Sequence, residues 1–354
     1  MVKAVILVGG EATRLRPLTC KITKAMVPIL NRPFLEHLLR YLGRHGITDV
    51  ILAMCYLPDS IQSYFGEGGD VGVRMTCVVE DCPLGTAGAV KNIEKLLDEP
   101  FVVLNGDIIT EIDLSAMIRR HQEIKPKATI ALTPVDNPTL YGVIETEAGG
   151  RVKRFLEKPD WDDVTTNLIN AGIYILQPEV LEDIPASNLC MFETYLFPLL
   201  LERGDMILGY PSDAYWIDIG TPEKYLRVHH DLLTRYGDRI QTEGKSWIHR
   251  EATIAKPVLI AEGCTIAEGA RIIGPAVLGP RCEVARHAVV EGAVLWEGTK
   301  VGEGAVLRNC IVGSHCRIGE GSHIPDGCIL GDNVTVGAGN KLPQGVKVWP
   351  DERV

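Results

Sequence analysis

The sequence predicts two architectures in series: an α/β, doubly wound mixed sheet, followed by a parallel β-helix. Three observations carry this. Apolar runs without an interrupting charge alternate with segments whose apolar residues recur at helical spacing. Glycine-bearing turns follow several of those runs. From Ile248 onward, an apolar residue recurs every six positions almost to the end of the chain. The expected division is a first domain over 1–235, a linker over 236–246 and a repeat domain over 247–354.

Ala4-Val5-Ile6-Leu7-Val8 opens the first domain as a strand buried on both faces. Gly9-Gly10 ends it, where two residues without Cβ let the chain turn and a bulky ligand approach bare N–H groups. Glu11 and Thr13 follow, and then four cations: Arg14, Arg16, Lys21 and Lys24. Buried strand, glycine turn and clustered cations describe a cradle for a polyphosphate. An ordinary turn with solvated charges is the alternative. Neither G-x-x-x-x-G-K-[ST] nor G-x-G-x-x-G is matched here.

The spacing of Phe34, Leu35, Leu38, Leu39 and Leu42 predicts a helix closed by Gly43 and Gly46. A strand at 50–54, a short helix at 60–65, a strand at 73–79, a helix at 85–97 and a strand at 101–105 follow. Strands separated by helices imply parallel neighbours, and such sheets bind ligands beyond their C-terminal strand ends. Asp107, directly after the buried run Phe101–Asn105, is placed to hold Mg2+, which takes one or two carboxylates in phosphate-transfer sites. A turn cap is the alternative for it. Gly85 and Thr86 would start a helix whose first N–H groups are free for a ligand, or merely a helix start.

Between Lys127 and Leu176 the pattern changes to a strand at 128–132, a pair at 141–146 and 152–158 around Gly149-Gly150, and a strand at 170–175. Sugars are read by carboxylates and amides, and a sugar phosphate by a Lys; Gly142, Glu157, Lys158 and Asn170 supply that set. An exposed salt-bridging pair is the alternative for Glu157-Lys158. Asp218 stands between apolar neighbours in Trp216-Ile217-Asp218-Ile219, so it needs a cation partner. Thr221 and Pro222 then cap and start a helix.

The repeat anchors run from Ile248 through Ile254, Ile260, Ile266, Ile272, Leu278, Val284 and Val290. After two five-residue steps they resume at Leu295 and Val312, with small residues midway between anchors. Each coil buries its face only by stacking on the next. His249, His287, His315 and His323 are candidates for an acyl-transfer base, although a His on a coil face is more often structural. An assembly or regulatory role is the expectation for this domain. The tail from Trp349 to Val354 should cap the last coil.

Net charge is −10 over 354 residues, which argues against a general nucleic-acid binder. Local cations can still outweigh that sign in a cleft. The ten cysteines form no C-x-x-C pair and read as reduced, buried thiols. Met1-Val2-Lys3 leads straight into a core strand, and no apolar run is long enough to span a bilayer, so a cytoplasmic protein without a membrane partner is expected.

Gly9-Gly10-Glu11-Ala12-Thr13-Arg14-Leu15-Arg16-Pro17, with Lys24-Ala25-Met26-Val27-Pro28 after it, resembles the signature of the sugar-1-phosphate nucleotidylyltransferases, GGxGTRLxPLT followed by KPM. Ala12 stands where that family has Gly, and Ala25 where it has Pro. If the family's Gly has positive φ, a Cβ at Ala12 is costly or the loop shifts. Glu80-Asp81-Cys82-Pro83-Leu84-Gly85-Thr86-Ala87-Gly88-Ala89, Asn105-Gly106-Asp107, Tyr141-Gly142-Val143, Glu157-Lys158-Pro159, Asn170-Ala171-Gly172 and Tyr215-Trp216-Ile217-Asp218-Ile219-Gly220-Thr221-Pro222 are similar to further family segments. The resemblance implies that Gly9, Gly10, Glu11, Thr13, Arg14, Lys24, Gly85, Thr86 and Asp107 bind nucleotide. It implies that Gly142, Glu157, Lys158 and Asn170 bind the sugar phosphate, and that Asp107 and Asp218 share Mg2+. Arg14, Lys24, Lys158, Asp107 and Asp218 would then be the catalytic set.

Left-handed coiling of the repeats is likewise what a resemblance to hexapeptide-repeat proteins implies. Met26-Val27-Pro28, Asn170-Ala171-Gly172 and the repeat tail are most similar to the GDP-mannose-forming branch, so GTP and a sugar 1-phosphate are the expected substrates and a homo-oligomer the expected assembly. The alternatives are a dTDP- or UDP-glucose-type enzyme, a regulatory homologue that binds nucleotide sugar, and a bifunctional chain with acetyltransferase activity.

Overall fold

A computed structural model describes residues 2–55, 58–235, 237 and 239–354. The chain forms two compact units, Met1–Gly10 with Leu35–Asp218, and Glu11–Phe34 with Ile219–Val354.

In chain order the elements up to residue 218 are β1 (Ala4–Val8), the hairpin strands β2 (Pro28–Ile29) and β3 (Arg32–Pro33), α1 (Phe34–Arg44), β4 (Asp49–Met54), α2 (Pro58–Phe65), β5 (Arg74–Val79), α3 (Gly85–Asn92), β6 (Phe101–Asn105) and β7 (Ile108–Thr110). There follow α4 (Leu114–Ile124), β8 (Ala128–Pro134), β9 (Gly142–Thr146), β10 (Val152–Glu157), β11 (Leu168–Leu176), α5 (Phe197–Glu202), β12 (Ile207–Pro211) and β13 (Trp216–Asp218). The main sheet of the first unit runs β10-β9-β11-β6-β1-β4-β5, with β8 also on β11 and β12 on β8.

β1 lies between β4 and β6, parallel to both, which explains why Ala4, Val5 and Ile6 carry no polar group and are fully buried. The expected parallel core is therefore present. β11 adds an antiparallel neighbour on β6, which makes the sheet mixed. The expected helix over 85–97 is shorter: α3 stops at Asn92, and a separate turn covers Glu94–Leu96. Ile93 leaves helical geometry (φ −108°, ψ 13°) while staying buried, so packing of a β-branched side chain has overridden continuation of the helix. One close approach fixes β6 against β1. Gly106 donates its N–H to the Leu7 carbonyl at 2.9 Å, and a Cβ on Gly106 would be driven onto that same oxygen.

In the second unit α6 (Pro222–Arg235) precedes three parallel sheets made of two- and three-residue strands. Ile248 pairs with Ile266 and Ile266 with Val284, which makes a coil of eighteen residues. Val284 pairs with Val301 and Val301 with Ile318, so each five-residue step shortens its coil by one residue without breaking register. Glycines such as Gly263, Gly269, Gly298 and Gly304 stand midway between anchors in left-handed turns, and buried small residues such as Cys264, Ala270 and Ala305 stand two positions before the anchors, at the corners. Cys264, Cys282, Thr299 and Cys316 each donate to a turn carbonyl of the next coil, that of Gly279, Trp296, Gly313 and Gly331, at 2.8–3.2 Å. A small donor at a corner thus satisfies a carbonyl that no strand reaches. Cys264, Cys282, Cys310, Cys316 and Cys328 are buried free thiols, as is Cys190 in the first unit.

His287 and His315 sit at left-handed turn positions, both with φ 57°. The His249 ring accepts the Glu251 N–H at 3.2 Å. The tail caps the last coil: Thr335 bridges to Arg353, and Gly337 donates its N–H to the Val354 carbonyl. Within the same unit, Tyr225 donates its hydroxyl to the Pro28 carbonyl, Asn31 Nδ2 donates to the Leu278 carbonyl at 3.2 Å, and Lys21 Nζ lies 2.7 Å from Asp351 Oδ2. Segment 11–34 is therefore held by the α6 and β-helix part of the chain. Tyr236 and Asp238, within the expected junction, lie outside the described residues.

Gly106→Ala is expected to lower unfolding stability by about 2–4 kcal/mol, because a backbone oxygen cannot move aside as a flexible side chain can. Chemical denaturation of the two proteins checks this.

Candidate active site

The first unit gathers one set of the expected residues at a single edge. Leu7 of β1 pairs with Asn105 of β6, and the strands are parallel, so Gly9-Gly10 and Gly106-Asp107 leave the sheet side by side. β11 runs antiparallel to β6 with Ile173 opposite Leu104, which carries its first residues, Asn170 among them, toward that edge. Ile169 pairs with Val143 and Gly142 with Glu157, so the sugar-type residues of three strands stand in one row. Asn105 Oδ1 at this edge is buried and accepts no hydrogen bond among the described residues, an acceptor that a ligand hydroxyl or water would satisfy.

A separate ribbon sets the two aspartates at neighbouring backbone positions. β7 pairs antiparallel with β13, Asp218 opposite Ile108, so Asp218 is one residue out of register with Asp107. Facing residues in such a ribbon have Cα atoms about 4.5–5.5 Å apart. Tyr141 donates its hydroxyl to Asp218 Oδ1 at 2.8 Å, and its ring packs edge-on to Trp216 at 5.7 Å. Trp216 Nε1 in turn donates to the Ala171 carbonyl at 2.8 Å. Among the described residues no group of three His, Cys, Asp or Glu side chains converges as a metal cage. Asp107 and Asp218, at adjoining positions of this ribbon, are hard oxygen donors. Mg2+ fits such a set, because it keeps several sites for water and phosphate oxygens.

Glu157 ends β10 and Lys158 follows it. Lys158 takes a left-handed conformation (φ 45°) and donates its N–H to the Tyr141 carbonyl at 3.0 Å. Its Nζ is 3.5 Å from Glu157 Oε1, and its side chain is 65% exposed, so the ammonium is both paired and reachable from solvent.

The start of α3 is built differently from the expectation. Gly85 has φ 75°, and a Cβ there would lie 2.5 Å from the Cys190 carbonyl oxygen. That oxygen accepts the N–H groups of both Ala87 and Gly88, at 3.0 and 3.1 Å, so these two helix-start donors are committed within the protein. Glu80 Oε2 accepts the Leu84 N–H at 3.2 Å. Burial pushes the Glu80 carboxyl above its ordinary pKa, opposed by that N–H. Thr86 Oγ1 donates to Glu193 Oε2 at 3.0 Å and accepts the Phe192 N–H at 2.9 Å.

In the second unit Thr13 and Arg14 form a single turn of 3-10 helix with Leu15, and Lys24 another with Ala25 and Met26. Leu15, Leu18, Ala25 and Val27 are buried and anchor the segment, while Thr13 and Arg14 are exposed. Glu11 is paired with Arg16 at 3.1 Å. Ala12 is in the left-handed region (φ 48°, ψ 44°), where Gly would be unstrained. Its carbonyl accepts from the Leu15 N–H at 3.0 Å and from Thr19 Oγ1 at 2.9 Å.

Sequence reasoning missed the residues that hold the others: Tyr141 on Asp218, Trp216 on Ala171, and Tyr174 with Glu193 behind Asn170 and Thr86. Tyr141 carried a signal, an aromatic hydroxyl directly beside Gly142. Glu193 carried none, because it lies on a single turn of π-helix, Phe192–Leu196, that no periodicity announces.

Residues 3–235 match the family described as "Nucleotidyl transferase", and residues 238–342 match "EIF2B subunit epsilon LbH domain". The chain is 37% identical to a mannose-1-phosphate guanylyltransferase of Mycobacterium tuberculosis, over 86% of this chain and 83% of that one. It is 34% identical to a UTP–glucose-1-phosphate uridylyltransferase of Synechocystis, over 89% and 88%. The crystal structure of HddC from Yersinia pseudotuberculosis complexed with GMP-PN matches with 33% identity and a TM-score of 0.56, over 64% of this chain and 98% of that one.

Ala12→Gly is expected to raise unfolding stability by about 0.5–1 kcal/mol, since relief of a left-handed Cβ exceeds the added freedom of the unfolded chain. Denaturant unfolding measures it, and a loss instead would mean that the Ala12 methyl group is packed.

Proposed function

The chain belongs to the nucleotidyl transferase family, and we propose that it joins an NTP to a sugar 1-phosphate, releasing pyrophosphate, with GTP and mannose 1-phosphate as substrates and GDP-mannose as product. The observation that carries this reading is the β7–β13 pairing, which sets Asp218 beside Asp107 at the sheet edge where Gly9-Gly10 emerge. The Mycobacterium relative supports the choice of guanine and mannose. The Synechocystis relative supports UTP and glucose 1-phosphate as the second pair to test.

A phosphate oxygen of the sugar 1-phosphate attacks the α-phosphorus in line, the bond from that phosphorus to the bridging oxygen breaks, and pyrophosphate leaves with the electron pair. Such a transfer needs positioning and charge neutralisation rather than a covalent protein nucleophile. Arg14 and Lys24 bind the triphosphate and stabilise the departing pyrophosphate. Lys158, reachable at the end of β10, holds the attacking phosphate, while Glu157, Gly142 and Asn170 read sugar hydroxyls. Gly9, Gly10, Glu11, Thr13, Gly85 and Thr86 hold the nucleotide. Tyr141 fixes the orientation of the Asp218 carboxylate. Mg2+ on Asp107 and Asp218 would neutralise charge on the phosphates.

The proposed organisation is a catalytic domain over 1–235, a linker over 236–246 and a β-helix over 247–354 that contributes to a homo-oligomer. Action in the cytoplasm is part of the same proposal; no helix among the described residues is long and apolar enough to cross a membrane.

Pyrophosphate release from a matrix of four NTPs and several sugar 1-phosphates tests the substrate assignment, with GTP and mannose 1-phosphate expected to turn over fastest. Asp218→Asn should lower kcat/KM by about 10²–10³-fold with the far-UV circular dichroism unchanged. Retention of activity would remove Asp218 from the metal site.

A further inference from the structure

A half-buried hydrogen-bonded chain runs through the first unit from Asn170 to Thr86. Asn170 Nδ2 donates to the Tyr174 hydroxyl at 2.8 Å, and Asn170 Oδ1 accepts the Gly172 N–H at 2.9 Å. Tyr174 donates its hydroxyl to Glu193 Oε1 at 3.1 Å. The other oxygen, Glu193 Oε2, accepts from Thr86 Oγ1 at 3.0 Å, and Thr86 Oγ1 accepts the Phe192 N–H at 2.9 Å. The Tyr174 ring is fully buried and packs on Phe192 and Phe197, with ring centres 5.4 and 5.3 Å away. Every donor and acceptor in the chain is assigned in one direction only if Glu193 is ionised, because a carboxylate accepts at both oxygens.

We propose that Glu193 is a positioning residue which sets Asn170 on the sugar side and Thr86 on the nucleotide side through one shared carboxylate, with Tyr174 as the link to Asn170. This rests on the roles proposed for Asn170 and Thr86 above. The relay fixes the Asn170 amide so that one N–H is spent on Tyr174 and one lone pair on Gly172, leaving one donor and one acceptor for a sugar diol. The same carboxylate fixes the Thr86 hydroxyl at the first turn of α3. A carboxylate enclosed beside aromatic rings is costly unless both oxygens accept hydrogen bonds, and here both do.

The arrangement makes a graded prediction. Glu193→Gln keeps the shape but offers one acceptor in place of two, so it should raise KM for the NTP and for the sugar 1-phosphate, each by about tenfold, with a smaller change in kcat. Tyr174→Phe cuts only the branch to Asn170 and should raise KM for the sugar 1-phosphate alone. The pH profile supplies a second readout. Burial, together with the charge of Glu157, raises the Glu193 carboxyl pKa, opposed by hydrogen bonds from its own backbone, Thr86 and Tyr174. The titratable groups facing it are Tyr174 and Glu157. As pH falls through that raised pKa the carboxylate is protonated, an acceptor is lost, and both KM values of the unaltered protein should climb; in Glu193→Gln they should stay flat.

The experiment is steady-state pyrophosphate release by the full chain and both variants across acidic to neutral pH, with GTP and mannose 1-phosphate varied in turn and thermal unfolding as the fold control. Unchanged KM values in a folded Glu193→Gln overturn the proposal. So does an equal rise in both KM values in Tyr174→Phe, which marks general loosening of the core. If a variant unfolds, the pH dependence of the unaltered protein decides: KM values that do not climb at acid pH overturn the proposal. Failure of the unaltered protein to turn over any NTP and sugar 1-phosphate pair overturns the function itself and this inference with it.

Discussion

Three residue pairs hold the candidate site together: Trp216 with Thr110, Ile217 with Ile109, and Asp218 with Ile108. An isolated two-stranded ribbon this short has marginal stability of its own. Polar pins around it supply what burial does not. The Tyr215 carbonyl accepts from the Glu111 N–H at 2.9 Å and from Thr110 Oγ1 at 3.2 Å. Trp216 ties the ribbon to β11 through Ala171, and Tyr141 ties Asp218 to the turn before β9. The ribbon is thus pinned at Tyr215 and Trp216, and Tyr141 orients the Asp218 carboxylate, which is the kind of preorganisation that electrostatic catalysis requires.

The charge distribution fits that picture. A protein of net charge −10 repels a triphosphate at long range, so attraction must be local and short. The chain concentrates Arg14, Arg16, Lys21 and Lys24 in one segment, where Arg16 pairs with Glu11 and Lys21 with Asp351. Arg14 is exposed on a turn whose apolar neighbours are buried, so anchoring and presentation come from alternate residues of the same short stretch.

Much of the fold was legible because its signals are local. β1 reads as buried from composition alone, and the six-residue period of the repeats survives two five-residue steps because register is kept coil to coil. Of the candidate site, the strand ends were legible where glycine and charge follow an apolar run, as at Gly9-Gly10 and Asn105-Gly106-Asp107, which leave the sheet side by side. Other features were not, for one physical reason: they depend on partners far away in sequence. β12 joins β8 across more than seventy residues, and α3 stops early because Ile93 is claimed by the core. At the start of α3, where free N–H groups for a ligand or a plain helix start were the two expectations, the amides of Ala87 and Gly88 are taken by the carbonyl of Cys190. Ala12 is the converse case. Its left-handed conformation was foreseeable from the missing glycine, since the turn geometry persists while the residue suited to it does not.

Segment 11–34 is packed with residues far along the chain. Its partners include Tyr225, Leu278 and Asp351, which stand 197, 247 and 330 positions after the residues they bond. The strands β1, β4, β5 and β6 lie within about a hundred residues of one another and can pair by short-range closure. The Arg14–Lys24 stretch instead depends on contacts of high sequence separation, so its support is expected to form later than the sheet as the chain folds.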